Sequence, residues 1–200
     1  EMAKEINADI VIGTDPDSDR LGIAVPNLDG EFEILSGNQT GVLLTDYLLR
    51  NQADLADTFI AYTIVSSELF GDVARHYGTN SEVCLTGFKH IAKLIRENES
   101  RRKFLGGGEE SFGYMIGDFV RDKDAVTSTL IACEMAAEAK ANGNSLFQQM
   151  VGIYQQTAIY REALIALKKS GKSGAEEIAT MMEGFRNLPP ADLDGSALVE

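Results

Sequence analysis

The chain has 200 residues, 44% of them apolar, with nineteen glycines and a formal net charge of −13; this is the composition of a globular α/β protein with chain enough for one good core or two small ones. The acidic balance argues against nucleic acid and anionic membrane surfaces as partners, and it requires any phosphorylated substrate to be drawn in by local cations against the overall field. No run reaches membrane-spanning length, no basic-then-apolar signal peptide opens the sequence, and Glu1 rather than Met stands first, which points to a piece of a longer chain.

Residues 9–13 and 21–25 are expected as strands on either side of Gly13-Thr14-Asp15-Pro16-Asp17-Ser18-Asp19-Arg20. Asn27-Leu28-Asp29-Gly30 signals a turn and residues 31–35 a further strand. After Ser36-Gly37-Asn38 an amphipathic helix runs to about Asn51, with Val42, Leu43, Tyr47 and Leu48 on one face. Residues 58–65, rich in β-branched and aromatic side chains, predict a buried strand, and Ser66-Ser67 is expected to cap a helix to about Tyr77. Residues 82–85 read as a short strand. Thr86-Gly87 then leads into a helix whose Phe88, Ile91, Ala92 and Ile95 keep the i, i+3, i+4, i+7 spacing.

Residues 103–105 enter Gly106-Gly107-Gly108, from which a glycine-rich loop is expected to about Asp122. A helix over 124–141 should turn Val126, Leu130, Cys133 and Ala137 inward. Asn142-Gly143-Asn144 stops it, and Ser145 caps another helix to about Gln155. Residues 159–167 are strand-like, 168–173 form a turn or linker, and 176–187 form a helix with Ile178, Met181, Met182 and Phe185 inward, ended by Pro189-Pro190. Cys84 and Cys133 lie in apolar stretches and are expected as buried thiols of a reducing cytoplasm. The strand–helix alternation over 31–155 predicts the α/β class: a mixed, mostly parallel sheet flanked by helices. Sites in such sheets collect at the carboxyl ends of strands, and the loops after residues 13, 85 and 105 lie there.

Asp15, Asp17 and Asp19 supply three hard oxygen ligands at alternate positions, a set that suits Mg²⁺. Arg20 adds a planar fork for phosphate. An EF-hand loop would need glycine and an acid where Arg20 and Pro26 stand, so that reading fails. A dehalogenase-type phosphatase wants a small or β-branched residue at the Asp19 position. In Gly107-Gly108-Glu109-Glu110-Ser111-Phe112-Gly113-Tyr114 the glycines allow close backbone approach. Glu109 there can accept from adjacent sugar hydroxyls, and Ser111 can donate and accept. Arg121-Asp122-Lys123-Asp124 offers cations for a phosphate and a helix cap. Thr86-Gly87-Phe88-Lys89-His90 sets free amides at a strand-to-helix turn, where anions are favoured.

Taken in order, Thr14 to Arg20, Leu85-Thr86-Gly87-Phe88-Lys89, Gly108 to Tyr114 and Arg121 to Asp124 resemble the α-D-phosphohexomutase family, most closely its phosphoglucomutase branch, over roughly residues 5 to 190. The resemblance implies four domains around a cleft, of which this chain holds the end of the second (1–35), a complete sugar-recognition third (36–158) and a lead-in to the fourth (159–200). The family's Ser-His-Asn-Pro and Ser-Gly-Thr-Glu loops are not in this sequence. By the same resemblance Asp15, Asp17 and Asp19 hold Mg²⁺, and Arg20 and Lys123 serve catalysis. Thr86, Gly87, Glu109, Ser111 and Lys123 bind the sugar phosphate. The implied reaction interconverts glucose 1-phosphate and glucose 6-phosphate through a phosphoserine and a bisphosphate intermediate. The partners are then the sugar phosphate and the missing domains, with no nucleic acid and no membrane, in the cytoplasm. The isolated 200 residues, lacking the nucleophile, are expected to be inactive. The alternatives are a non-catalytic sugar-phosphate or metal-binding module and a dehalogenase-type phosphatase.

Overall fold

The structure, a computed structural model, describes residues 1–163, 167–193 and 195–197. It divides into two compact units, Glu1–Arg161 and Glu162–Glu200.

The first unit opens with a single helical turn, α1 (Met2–Glu5), followed by β1 (Val11–Thr14), β2 (Leu21–Pro26) and β3 (Phe32–Ile34), an antiparallel sheet in the order β1-β2-β3. Asn27 makes the β2–β3 turn: its side-chain oxygen accepts from the backbone amides of Asp29 and Glu31, both at 3.0 Å. Strand β2 alternates as its sequence does, burying Leu21, Ile23 and Val25.

The second sheet has the order β5-β4-β6-β7. Strand β4 (Thr58–Thr63) is buried along its whole length and pairs in parallel with β5 (Asn80–Cys84) and β6 (Lys103–Gly108); β7 (Tyr114–Ile116) closes the edge antiparallel to β6. This is the mixed, mostly parallel arrangement of the α/β class. On one face Ile60, Tyr62, Leu105 and Tyr114 share a core with β2 and with α2 (Gly37–Arg50), α3 (Leu69–Tyr77), α5 (Ala125–Ala141) and α6 (Leu146–Gln156). On the other, Phe59, Ala61, Phe104 and Met115 pack against Phe88, Ile91 and Ile95 of α4 (Phe88–Asn98). Capping boxes open α2 (Ser36 with Gln39) and α6 (Ser145 with Gln148). Among the described residues no helix is long and apolar enough to cross a membrane.

Several local expectations are corrected. The glycines 106–108 belong to strand β6 rather than to a loop, and β7 lies within the stretch expected as irregular. A side chain at Gly107 would run into the Ala61 carbonyl, and one at Gly106 would come within 2.8 Å of the Tyr114 hydroxyl, so bare backbone here lets β6 lie tight between its neighbours. Helix α5 faces the other way. Ala125, Ser128, Ala132, Met135, Ala136 and Ala139 are buried, whereas Val126 is 69% and Leu130 60% exposed, and Cys133 and Ala137 lie outward with them. Its small residues allow close approach to the sheet, and that outweighs the larger apolar side chains opposite. Neither cysteine is buried: Cys84 is half-covered and Cys133 exposed. Ser66 and Ser67 do not occupy the cap position of α3, which Glu68 holds. The strand expected over 159–167 is not formed at residues 159–163 and 167, and residues 164–166 lie outside the described residues.

The second unit holds α7 (Gly171–Asn187) and the two-residue strands β8 (Asp192–Leu193) and β9 (Ser196–Ala197), paired antiparallel. Helix α7 begins earlier than expected. Its Ile178, Met181, Met182 and Phe185 are exposed, not inward, and its covered residue is Gly174, set against Lys169.

Candidate functional site

The acidic loop starts where β1 ends. Ser18, at φ +55°, closes a turn by donating its amide to the Asp15 carbonyl at 3.0 Å. Asp15 Oδ1 accepts from the amides of Asp19 and Arg20, both at 3.1 Å, so the loop curls around this carboxylate. Partial desolvation pushes Asp15 upward, but the hydrogen bonds from those backbone donors outweigh it and hold its carboxyl below the ordinary value. The result gathers one oxygen from each of Asp15, Asp17 and Asp19 within 4.8 Å of one another. Asp19 Oδ1 is buried with no hydrogen-bond partner; the Arg20 guanidinium, 3.7 Å away, offers charge but not a bond. An orphaned anionic oxygen beside two more carboxylates fits a hard divalent cation such as Mg²⁺, with Asp15, Asp17 and Asp19 to hold it.

The second loop joins β6 to β7. Phe112 at φ +70° tightens it, and the Glu109 amide donates to the Gly113 carbonyl at 2.9 Å. Glu109 Oε1 accepts from the Gly87 amide at 2.6 Å, which ties this loop to the turn before α4. Gly87, at φ +106°, supplies the open N-cap backbone there; Thr86 beside it is exposed. Ser111 is half-buried.

The acidic and glycine-bordered loops are stitched together. The Leu21 amide donates to the Phe112 carbonyl at 3.0 Å, Arg20 and Gly113 form an antiparallel bridge, and the Ala125 amide donates to the Ser18 carbonyl at 3.0 Å. Lys123 sits at the junction. Its Nζ is 2.6 Å from Asp19 Oδ2 and 3.5 Å from Asp122 Oδ1, and lies 5.6 Å above the Phe88 ring. Its hydrogen bond to Asp19 is the main cause that raises its pKa above the ordinary lysine value, against the pull of burial. A Cβ on Gly113 would meet Lys123 Cδ at 2.6 Å, so that glycine makes room for the lysine stem. Asp15, Asp19, Arg20 and Lys123 are thus linked through direct contacts, Asp17 offers an oxygen within 4.8 Å of its neighbours, and Glu109, bonded to Gly87, joins them through the Gly113 backbone. Ser111 lies within the same loop and Thr86 on its rim. Arg121 is drawn away into an ion pair with Glu99, and His90 is held at the start of α4.

One residue that motif reading passed over is structurally central. The Glu110 amide donates to Ser66 Oγ at 3.1 Å, and its carboxylate lies 3.5 Å from the hydroxyls of Thr63 and Ser66, which bond each other at 2.8 Å. Ser66 therefore anchors the loop to the end of β4 rather than capping α3. The glutamate pair itself was the available signal: two adjacent side chains on a hairpin point to different sides, so one can face the cleft and the other the scaffold.

Domain III of phosphoglucomutase/phosphomannomutase, an α/β/α domain, matches residues 36–154. The phosphoglucomutase of Staphylococcus aureus (strain MSSA476) is 36% identical over 195 residues, covering 98% of this chain and 35% of that protein. The fold is shared with pp63/parafusin, a phosphoglucomutase from Paramecium (TM-score 0.59, 19% identity, 92% of this chain and 31% of that one). It is shared also with the N-acetylphosphoglucosamine mutase of Aspergillus fumigatus, solved with GlcNAc-6P and magnesium (TM-score 0.54, 13% identity, 72% and 35%). The chain belongs to the phosphoglucomutase/phosphomannomutase family, and it spans about a third of the length of the curated relatives it matches.

Proposed function

We propose that these residues form the metal-binding and sugar-recognition part of a phosphoglucomutase. The observation that carries this reading is the seam itself: Leu21 on Phe112, Arg20 against Gly113 and Lys123 on Asp19 bring the acidic loop and the Glu109 loop into one cluster. Asp15, Asp17 and Asp19 hold Mg²⁺, which when bound supplies positive charge to a transferring phosphoryl group. That a structural relative with the same fold was solved with GlcNAc-6P and magnesium supports the ligand pair.

Glu109 accepts hydrogen bonds from adjacent ring hydroxyls, and Ser111 and Thr86 line the sugar's path. Arg20 and Lys123 neutralise phosphate charge that the acidic surface would otherwise repel. In the proposed reaction a phosphoryl group passes from a phosphoserine outside these 200 residues to the 6-hydroxyl of glucose 1-phosphate, whose proton is released. The bisphosphate turns over and returns its 1-phosphoryl group to the serine, and the anomeric oxygen takes up a proton. This yields glucose 6-phosphate. A phosphatase reading is less favoured, because Asp15 Oδ1 is engaged by two backbone amides instead of standing free as a nucleophile.

Calorimetric Mg²⁺ titration tests the site. Asp17→Asn should weaken binding at least tenfold, and equal affinity in both proteins overturns the assignment. A coupled glucose 1-phosphate to glucose 6-phosphate assay should read no turnover from the 200 residues alone. Turnover would refute the need for an external phosphoserine.

A further inference from the structure

Lys123 is held with unusual care for a surface lysine. Its side chain is 19% exposed; its stem runs between Gly113 and Phe88, and its ammonium meets Asp19. These contacts come from three separate segments: the glycine-bordered loop, the first residue of α4 and the acidic loop. Asp19 divides its carboxylate: Oδ2 meets Lys123, while Oδ1 is buried without a hydrogen bond, with the Arg20 guanidinium 3.7 Å away, and the same carboxylate contributes an oxygen to the group formed with Asp15 and Asp17. A single carboxylate therefore serves both the proposed metal position and the Lys123 ammonium. Whatever charge Lys123 neutralises on Asp19 is charge that a cation on the far oxygen does not feel.

Resting on the metal and sugar-phosphate reading above, we infer that Lys123 is a positioning residue that couples the two ligands. An incoming phosphate competes with Asp19 for the ammonium, and as Lys123 turns to the phosphate, Asp19 regains its full charge toward the cation. Sugar phosphate and metal then strengthen one another's binding, reciprocally, as linkage requires. The coupling needs no movement of the backbone, only a swing of the distal methylenes and ammonium of one side chain whose inner stem is clamped.

The experiment is a Mg²⁺ titration of the 200-residue chain with and without glucose 1-phosphate, for wild type, Lys123→Met and Lys123→Arg. Methionine keeps the packed stem and removes the charge; arginine keeps the charge. For Mg²⁺ alone, Lys123→Met should bind about fivefold more tightly, at the low end of typical couplings because the ammonium is partly screened by solvent. The added gain from glucose 1-phosphate should shrink by the same factor. Lys123→Arg should restore wild-type behaviour on both counts. Looser Mg²⁺ binding in Lys123→Met, or a sugar-phosphate effect on metal affinity that is absent in wild type or equal in wild type and Lys123→Met, overturns the inference. If wild type and Asp17→Asn bind Mg²⁺ alike, the metal assignment itself falls, an outcome separate from failure of the coupling.

Discussion

Gly37→Ala is the sharpest test of how the site is built. Gly37 is the first residue of α2, with ordinary helical backbone, where alanine would normally gain up to about 1 kcal/mol over glycine. Here a Cβ would overlap the Glu110 carbonyl oxygen and lie 2.7 Å from both the Glu110 carbonyl carbon and the Phe112 nitrogen, whereas ordinary contact begins at 3.4 Å. All three atoms are backbone of the β6–β7 loop, so no side chain can swing clear. Relief requires the loop or the helix start to move by more than an ångström, a strain at the upper end of the overpacking range, about 2–3 kcal/mol. After subtracting the helix gain, the net loss should be about 1–2 kcal/mol, lowering the midpoint of the Glu1–Arg161 unit by roughly 2–8 °C in thermal unfolding followed by circular dichroism. Because the displaced loop carries Glu109 and Ser111, glucose 1-phosphate affinity should drop as well. Gly152→Ala in α6 is the control: nothing lies within 4 Å of its Cβ, and it should raise stability by about 0.5–1 kcal/mol. A Gly37→Ala protein as stable as wild type, with unchanged ligand affinity, would refute the reasoning that α2 is braced against the sugar loop.

Ser66→Ala removes the acceptor of the Glu110 amide and should destabilise the fold by about 1–2 kcal/mol in urea unfolding, since the amide is left without its buried partner. Asp46 is titrated upward by desolvation, which outweighs its hydrogen bond from Tyr77 and its ion pair with Arg50. The folded state therefore keeps a proton that the unfolded state gives up near 3.8. Its contribution is favourable at low pH and is lost as pH rises through the elevated folded value; Asp46→Asn should flatten that slope in unfolding measurements from pH 4 to 7. Iodoacetamide at pH 8 should alkylate exposed Cys133 on the order of a hundredfold faster than Cys84, whose thiol is pushed up to about 11 by burial and then by Glu109. Equal rates by mass spectrometry would contradict the partial cover assigned to Cys84.

The elements whose signals are local were readable in the sequence. Ser36 with Gln39 and Ser145 with Gln148 mark helix starts through hydrogen bonds made within four residues. The Asp15–Asp17–Asp19 spacing brings carboxylates together through a turn that needs no distant partner. What stayed hidden depends on tertiary fit. Helix α5 spreads its apolar residues over more than one side, so periodicity carries no orientation, and the buried side is chosen by the small size of Ala132, Ala136 and Ala139. The glycine run 106–108 reads as loop until Ala61 and Tyr114 are seen pressing against it. The role of Glu110 requires Thr63 and Ser66, more than forty residues away, which no motif window spans.

The backbone link from Leu21 to Phe112 and the Arg20–Gly113 bridge carry a mechanical consequence. They fasten the two ligand-bearing loops like facing plates riveted along one rim, with the Ala125–Ser18 bond as a further rivet. Parting them would break main-chain hydrogen bonds together with the Lys123 ion pair, so the gap between the proposed cation and sugar positions is a fixed gauge. On the proposed reading, a motion that admits a hexose ester would swing about some other axis and leave this spacing unchanged.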